Sequence, residues 1–241
     1  MTARIVWYAL LVLVAAITVG VQIDRQSAVH PAFADLTPEP LRGFAQAQLT
    51  ARALREGGEQ AALAEAQTLV SHRPMPAESL RALAQAQLLA GQEDAALAAI
   101  QLAAQRGWRD PAAQEAMLRI ALAAGDEAEA ARRYTALFLQ SRTDEALLAE
   151  YGAQVFADGG GVAAQTLAEI VAGTGRWQGL FLQRGARVLP PDTFAAITVA
   201  ARRRGAQFDC AALENAAAST ARASTAASAS LARLIAADCA Q

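Results

Sequence analysis

Two hydrophobic patterns follow one another along the chain. The residues from Ile5 to Ile23 form one apolar stretch without a charged side chain. From about residue 38 onward, apolar positions instead recur at helical spacing among polar ones, which is typical of amphipathic helices. These patterns predict one long apolar helix followed by a series of shorter amphipathic helices, and therefore an all-α protein.

The apolar stretch is long enough to cross a membrane. As an α-helix it would extend roughly 28 Å, close to the hydrocarbon thickness of a bilayer. A secretory signal peptide is the alternative, because the stretch follows a short basic N-terminus and Ala32-Phe33-Ala34 fits a small-x-small cleavage site. That site does not directly follow the apolar stretch, which ends at Ile23. We therefore favour an uncleaved transmembrane signal anchor over residues 1–23.

The flanks of the stretch predict its orientation. Arg4 and the α-amino group precede it, so the positive-inside tendency places the N-terminus in the cytoplasm. We expect a single-pass protein of the bacterial inner membrane with the rest of the chain in the periplasm. Residues 24–37 are polar and without a period, which predicts a linker between the membrane and the remaining chain.

A sequence repeat begins after this segment. Its turn glycines are evenly spaced at Gly57, Gly91, Gly125 and Gly159, and five positions after each of them stands Ala62, Ala96, Ala130 or Ala164. We interpret each unit as two helices of about 13 residues, in which glycine ends the first helix because it enters the left-handed conformation without a Cβ penalty. The small residue of the second helix then allows the two backbones to approach closely.

Larger apolar residues repeat in register with the glycines. Three positions before each glycine stand Leu54, Leu88, Leu122 and Phe156; eight before stand Leu49, Leu83, Met117 and Tyr151; twelve after stand Leu69, Ala103, Leu137 and Val171. We expect these columns to form the seams between the helices of a pair and between successive pairs.

A helix-turn-helix unit that recurs with this period, about 34 residues, resembles the tetratricopeptide repeat. The resemblance covers four units within residues 38–173, although the first-helix signature of the family is degraded: only Gly152 supplies its expected glycine. It implies a right-handed α-α superhelix, or solenoid, whose first helices line a concave groove for a peptide or partner helix. The groove residues that it implies are Phe44, Glu78, Arg81, Gln85, Glu115 and Arg119.

Further helix pairs are predicted over residues 174–241, after the repeat loses its phase. Pro191 is suited to a first turn and Gly205 to a stop. Asp209 and then Ser224 or Thr225 can cap the two helices of a final hairpin, for which the low-complexity sequence also allows a disordered tail. Cys210 and Cys239 are equidistant from the turn of this hairpin, so we expect a disulfide in the oxidising periplasm in preference to two free thiols.

Composition and motifs narrow the function. With 18% charged residues and a net charge of −2, the chain gives no reason to expect a nucleic-acid partner. His30 and His72 have no ligand residues at metal-binding spacing, and we find no nucleophile motif and no phosphate-binding loop. We therefore expect no enzyme activity, no catalytic residues, no cofactor and no metal.

A binding role remains as the expectation. The first hypothesis is a membrane-anchored periplasmic scaffold that holds another envelope protein, or a peptide segment of one, during cell-envelope assembly. The alternative is a glycan-binding protein, or an accessory protein of polysaccharide biosynthesis or export, that uses the same groove for a polymer. Only 5% of the residues are aromatic, which counts against the alternative because aromatic platforms normally bind sugars.

Overall fold

The computed structural model describes residues 2–239, and all regular secondary structure within this range is helical. Thirteen α-helices and two short 3-10 helices follow one another without a strand in the described residues. The elements are α1 Thr2–Ser27, η1 Pro31–Leu36, η2 Glu39–Leu41, α2 Phe44–Glu56, α3 Glu59–His72, α4 Ala77–Leu89, α5 Glu93–Arg106, α6 Pro111–Ala124, α7 Glu127–Phe138, α8 Glu145–Val155, α9 Val162–Gly173, α10 Gly175–Val188, α11 Pro191–Arg203, α12 Cys210–Ala221 and α13 Thr225–Asp238.

Helix α1 contains the predicted apolar stretch. Its 26 residues are long and apolar enough to cross a membrane, and almost none of this surface is buried within the protein. Apolar side chains such as Val12 and Val19 point outward, 70% and 58% exposed. Most of the apolar surface of α1 is therefore left uncovered by the other described residues.

The segment predicted as a linker is folded against α1. Helix α1 continues to Ser27, and η1 and η2 occupy most of the following residues. The carboxylate of Asp24 is buried and accepts hydrogen bonds from the backbone N–H groups of Gly43, Phe44 and Ala45, at 2.8, 3.1 and 2.8 Å. Asp24 thereby satisfies the free donors at the start of α2, so residues 24–37 join α1 to the first helix pair without a free linker.

The described residues divide into two compact units. Unit 1 extends to Ala113 and contains α1 and the pairs α2–α3 and α4–α5, while unit 2 begins at Gln114. In unit 1, α3 packs between α2 and α4, and α2 also contacts α4 directly. The start of α6 is held within unit 1 by Asp110, whose side chain accepts a hydrogen bond from the Ala113 N–H.

Helix pairs follow the predicted period. The second helices α3, α5, α7 and α9 begin at Glu59, Glu93, Glu127 and Val162, so only the last of them departs from the period, by a single position. The four small residues of these helices are all buried: Ala62 is 1% exposed, Ala96 7%, Ala130 1% and Ala164 3%. Because the side chain at this position is only a methyl group, the neighbouring helix can approach closely.

The turn glycines follow the expected conformation at two of four places. Gly91 and Gly125 are left-handed, with φ of 71° and 69°. Gly57 is extended, with φ of −84°, and a Cβ there would lie 2.6 Å from the Ala53 carbonyl oxygen. Gly159 lies in a longer turn against Thr193 and is not left-handed. The left-handed expectation is therefore wrong for Gly57 and Gly159, where close contact with backbone or side chain favours glycine instead.

The apolar columns are buried to different degrees. All four residues of the column that includes Leu137 are at most 3% exposed, and Met117, Tyr151 and Phe156 are buried as well. Leu88 is 61% exposed, and the remaining column residues are partly buried: Leu49, Leu54, Leu83 and Leu122.

Unit 2 arranges its pairs in two layers. The second helices α7, α9, α11 and α13 pack successively against one another, and the first helices α8, α10 and α12 do the same. Aromatic rings run through the core, with Tyr134 edge-on to Phe156 at 5.0 Å and Phe181 beside Phe194 at 5.3 Å between ring centroids. The core therefore continues from pair to pair through the unit.

The terminal hairpin is ordered as the capping residues predict. The side chain of Asp209 accepts a hydrogen bond from the Ala212 N–H, and that of Ser224 accepts one from the Ala227 N–H. Cys210 and Cys239 are placed as a disulfide, with an S–S distance of 2.03 Å and a Cα–Cα distance of 5.9 Å. The bond closes the open end of the hairpin, because the two residues lie at the start of α12 and just after α13.

Candidate binding surface

A groove in unit 1 lies along the first helices α2 and α4. It has a volume of about 520 Å³ and contains three of the six predicted groove residues, Glu78, Arg81 and Gln85. The lining residues are Ala47, Ala51, Leu54, Arg55, Leu69, Arg73, Pro76, Glu78, Ser79, Arg81, Ala82 and Gln85. Alanine at the facing positions of α2 and α4 leaves the groove open.

Two of the groove's arginines are held in place by neighbouring side chains. The Arg81 Nε donates a hydrogen bond to Asp110 Oδ2 at 2.9 Å, and the Asp110 side chain is only 4% exposed. The Arg73 guanidinium lies 4.4 Å from the centre of the Phe44 ring. The predicted groove residue Phe44 is therefore not part of the lining itself but forms the support for Arg73.

The charge of this groove is mainly positive. Arg55, Arg73 and Arg81 line it, and Glu78 is the acidic residue among the described lining residues. The remaining surface is largely made of small apolar side chains. A surface of this kind can bind an extended segment through backbone and methyl contacts, and it favours acidic side chains near the arginines.

The other two predicted groove residues pair with each other in unit 2. Arg119 Nη2 donates to Glu115 Oε1 at 2.6 Å, and Arg119 Nε donates to the Tyr151 hydroxyl oxygen at 2.6 Å. The Tyr151 hydroxyl donates in turn to Glu115 Oε1 at 3.0 Å. Glu115 and Arg119 thus fasten α6 to α8 through Tyr151, so their polar groups already have partners within the unit.

The electrostatics of this trio follow from its contacts. Partial burial, together with the hydrogen bond to Glu115, raises the pKa of the Tyr151 hydroxyl above its ordinary value, although Arg119 opposes the shift. The hydrogen bond to Tyr151 and the charge of Glu115 raise the pKa of the Arg119 guanidinium. Tyr151 therefore stays neutral and Arg119 stays charged at physiological pH, which describes a stable structural contact.

A second groove lies between the second helices α11 and α13 of unit 2. Its volume is about 1010 Å³, alanine is the most frequent residue in its walls, and Arg202, Arg203 and Arg233 lie along it together with Asp192. Arg202 forms a two-point ion pair with Asp238 on α13, including an Nη2–Oδ1 contact of 3.1 Å. The sequence does not predict this groove, because the partners Arg202 and Asp238 are far apart in the chain.

A metal ion in a protein is held by several ligand side chains that lie close together. Among residues 2–239, no group of three or more His, Cys, Asp and Glu side chains is close enough together to hold a metal ion.

No known family model, curated protein or solved structure matches the chain significantly. The likeness to tetratricopeptide repeats accordingly stays a prediction from the regular period and the glycine and alanine columns.

Proposed function

We propose that the protein is a membrane-anchored scaffold that holds an extended segment of another cell-envelope protein in the groove of unit 1. In this proposal α1 spans the bacterial inner membrane with its N-terminus in the cytoplasm, and both units lie in the periplasm. The pairs stack within each unit as a right-handed α-α superhelix of the tetratricopeptide type. Partner binding, and no catalysis, is the activity.

The groove between α2 and α4 is the observation that carries this proposal. It belongs to the unit that is directly joined to α1, and its open, alanine-lined walls can accept a polypeptide backbone. Arg81 is already paired with Asp110, so Arg55 and Arg73 are the groove arginines that favour a segment with acidic side chains. The disulfide of the terminal hairpin also agrees with an oxidising compartment such as the periplasm.

A site-specific crosslink tests the proposal. A photoreactive amino acid replaces Ala82, which lines the groove, and in a matched variant it replaces Ala64, an exposed alanine on the middle of α3 that does not line it. Irradiation of intact cells should yield a discrete protein adduct from position 82 and none from position 64. Arg55→Glu in the position-82 variant should reduce the adduct, since it reverses one of the groove's positive charges.

Three results would speak against this function. Equal adducts from both positions would indicate non-specific proximity, and no adduct from position 82 in membranes that contain the folded protein would remove the groove's role. Recovery of envelope polymer from position 82, without a protein adduct, would favour the glycan-binding alternative. Among the described residues that line the groove, none is aromatic, which is why we place the protein partner first.

A further inference from the structure

The chain that follows α1 folds back along the end of that helix. We call residues 28–41 the foot. A Cβ added to Gly20 would lie 2.5 Å from Leu41 Cδ1 and 3.9 Å from Pro38 Cδ, so the far end of the foot contacts α1 at Gly20. Phe33 also lies against α1, where it shares a small hollow with Val19, Gln22 and neighbouring residues.

The depth of these contacts is set by the geometry of the helix. Gly20 stands shortly before Ile23, the end of the apolar stretch, and the two are separated by about 4.5 Å of helix rise. The foot therefore reaches a level inside the apolar stretch. If α1 spans a bilayer, this level is the boundary between the hydrocarbon and the headgroups of the outer leaflet.

Three large apolar side chains of the foot face outward, whereas its exposed acidic residue Glu39 lies near the far end, in η2. Val29 is 73% exposed, Leu36 64% and Phe33 38%. The run from Ala28 to Ala34 contains no acidic residue, lysine or arginine. The carboxylate of Asp35 is paired with Arg52 on α2, at 2.6 Å, and so its charge is directed toward the protein.

The geometry points to the foot as a lipid-binding surface that inserts Val29, Phe33 and Leu36 into the outer interface of the membrane. This inference rests on the proposed anchoring by α1. Lipid is the occupant because Phe33 shares its hollow with Val19 and Ile23 of α1, and Leu41 meets α1 at Gly20, so the foot lies beside the last turns of the apolar stretch. The foot then seats the first helix pair directly on the bilayer.

An environment-sensitive fluorophore tests this contact in the full-length protein. Leu36→Cys and, as a control, Leu88→Cys are labelled with nitrobenzoxadiazole under non-reducing conditions that preserve the Cys210–Cys239 bond, and each protein is reconstituted into phosphatidylglycerol and phosphatidylethanolamine vesicles. The two leucines are similarly exposed, at 64% and 61%.

The control position lies away from the foot. Leu88 is on α4. Within the described residues η1 packs against α1 and α2, and η2 packs against α1, whereas neither has a comparable contact with α4.

The lipid contact predicts a blue-shifted emission at position 36 that is quenched by spin-labelled lipids, and a water-like, unquenched emission at position 88. Water-like emission at position 36, in protein that resists alkaline extraction, would show that the foot does not contact lipid. The proposed anchoring by α1 would not be affected by that result. A blue shift without lipid quenching would show that a protein surface covers the foot, which also overturns the inference. Release of the protein by alkaline extraction would instead contradict the proposed anchoring itself.

Discussion

Arg184 is a buried cation whose hydrogen-bond partners are backbone carbonyls. Its guanidinium, on α10, donates to the carbonyl oxygens of Phe138, Gln140 and Thr143 at 2.5, 2.8 and 2.5 Å. The side chain is 5% exposed and also lies over the Phe138 ring. These carbonyls belong to the end of α7 and to the connection that leads to α8, so one side chain fixes the course of that connection.

We expect Arg184→Met to destabilise unit 2 by about 2–4 kcal/mol, because three charge-assisted hydrogen bonds are lost and buried carbonyls lose their donors. Thermal and urea unfolding of the detergent-solubilised protein measures the change. Arg187→Met is the matched control on the same helix. Its side chain forms an exposed pair with Glu145, and its effect should be much smaller. Equal effects of the two substitutions would contradict the role of Arg184.

Tyr134 is a second single residue with a testable effect, because it makes the stability of the folded protein depend on pH. Its hydroxyl is buried and donates to the Leu148 carbonyl at 3.1 Å, and burial raises the pKa of this hydroxyl far above its ordinary value near 10. The folded state therefore retains the proton when the unfolded state loses it. The resulting stability is complete below about pH 10 and is lost progressively as the pH rises beyond that value.

Tyr134→Phe should lower the unfolding free energy by about 1 kcal/mol at pH 7, since one buried hydrogen bond is lost. It should also flatten the decline of stability between about pH 10 and 11. Urea titrations across this range measure both effects, with Tyr151→Phe as the comparison, because Tyr151 is less deeply buried among its polar partners. An unchanged alkaline decline in Tyr134→Phe would show that other groups control it.

At the scale of the elements, the turns separate two roles of glycine. Gly125 is left-handed with no atom within 4 Å of an added Cβ, so only its backbone conformation requires glycine. Gly179 lies within α10 and has equally open space around it, without the left-handed conformation. The two positions differ in backbone conformation alone.

Gly125→Ala should therefore destabilise the protein by about 1 kcal/mol, whereas Gly179→Ala should stabilise it by roughly 0.5–1 kcal/mol through helix propensity. The opposite signs are read from the midpoints of urea unfolding. A loss of stability in both variants would mean that an alanine methyl group is not tolerated at Gly179, contrary to the open space in the structure.

The second prediction at the scale of the elements concerns the disulfide of the terminal hairpin. Joining residues 29 apart should stabilise the terminal hairpin by about 3–4 kcal/mol in the chain-entropy model. Cys210→Ser combined with Cys239→Ser should make the connection around Arg222 an early site of trypsin cleavage, while cleavage elsewhere changes little. Alkylation of the unfolded, unreduced native protein, followed by mass measurement, should detect no free thiol; two alkylated cysteines would refute the bond.

Local signals in the sequence predict most of the elements but few of the contacts between them. The caps Asp209 and Ser224, the first-turn Pro191 and the repeat glycines act over short distances in the chain, so the helix pairs and the hairpin can be anticipated. The contact of Asp24 with the start of α2 and that of Arg184 with Phe138 join distant parts of the sequence. Neither contact produces a period or a motif in the sequence. Because the Asp24 contact leaves no such signal, the sequence predicts a linker for residues 24–37.

The residues of the candidate groove can likewise be predicted from the sequence, but their contacts cannot. Glu78, Arg81 and Gln85 are located by their register in the repeat, and all three line the groove of unit 1. The register does not reveal whether a polar side chain already has a partner. Tyr151 occupies an apolar column of the repeat, yet its hydroxyl engages Glu115 and Arg119, and only coordinates bring these three groups together.

At the scale of the whole molecule, Asp24 determines how the apolar helix is connected to the rest of unit 1. Its carboxylate holds the N–H groups of residues 43–45, and Gly20 lies directly against Leu41. These contacts replace a flexible stalk by a folded junction.

Asp24→Ala should loosen this junction by about 1–2 kcal/mol, because the start of α2 loses its capping acceptor. Limited trypsin digestion of the full-length protein should then cleave faster after Arg42, with N-terminal sequencing of the fragments to identify the site. Asp35→Ala, which removes an exposed ion pair with Arg52, should have a smaller effect. Identical cleavage in wild type and Asp24→Ala would show that the cap does not hold the junction.

If the protein is the membrane-anchored scaffold that we propose, the folded junction also affects how fast its binding site meets a partner. A binding site on a long flexible tether searches a large volume, and its effective concentration near any one target is diluted accordingly. A site fixed at one height and angle above the lipid samples only a thin layer, so partners that move in the same plane meet it repeatedly, whereas soluble ones gain no such advantage. By holding this junction, the carboxylate of Asp24 would thus favour the binding of targets that are themselves embedded in the bilayer.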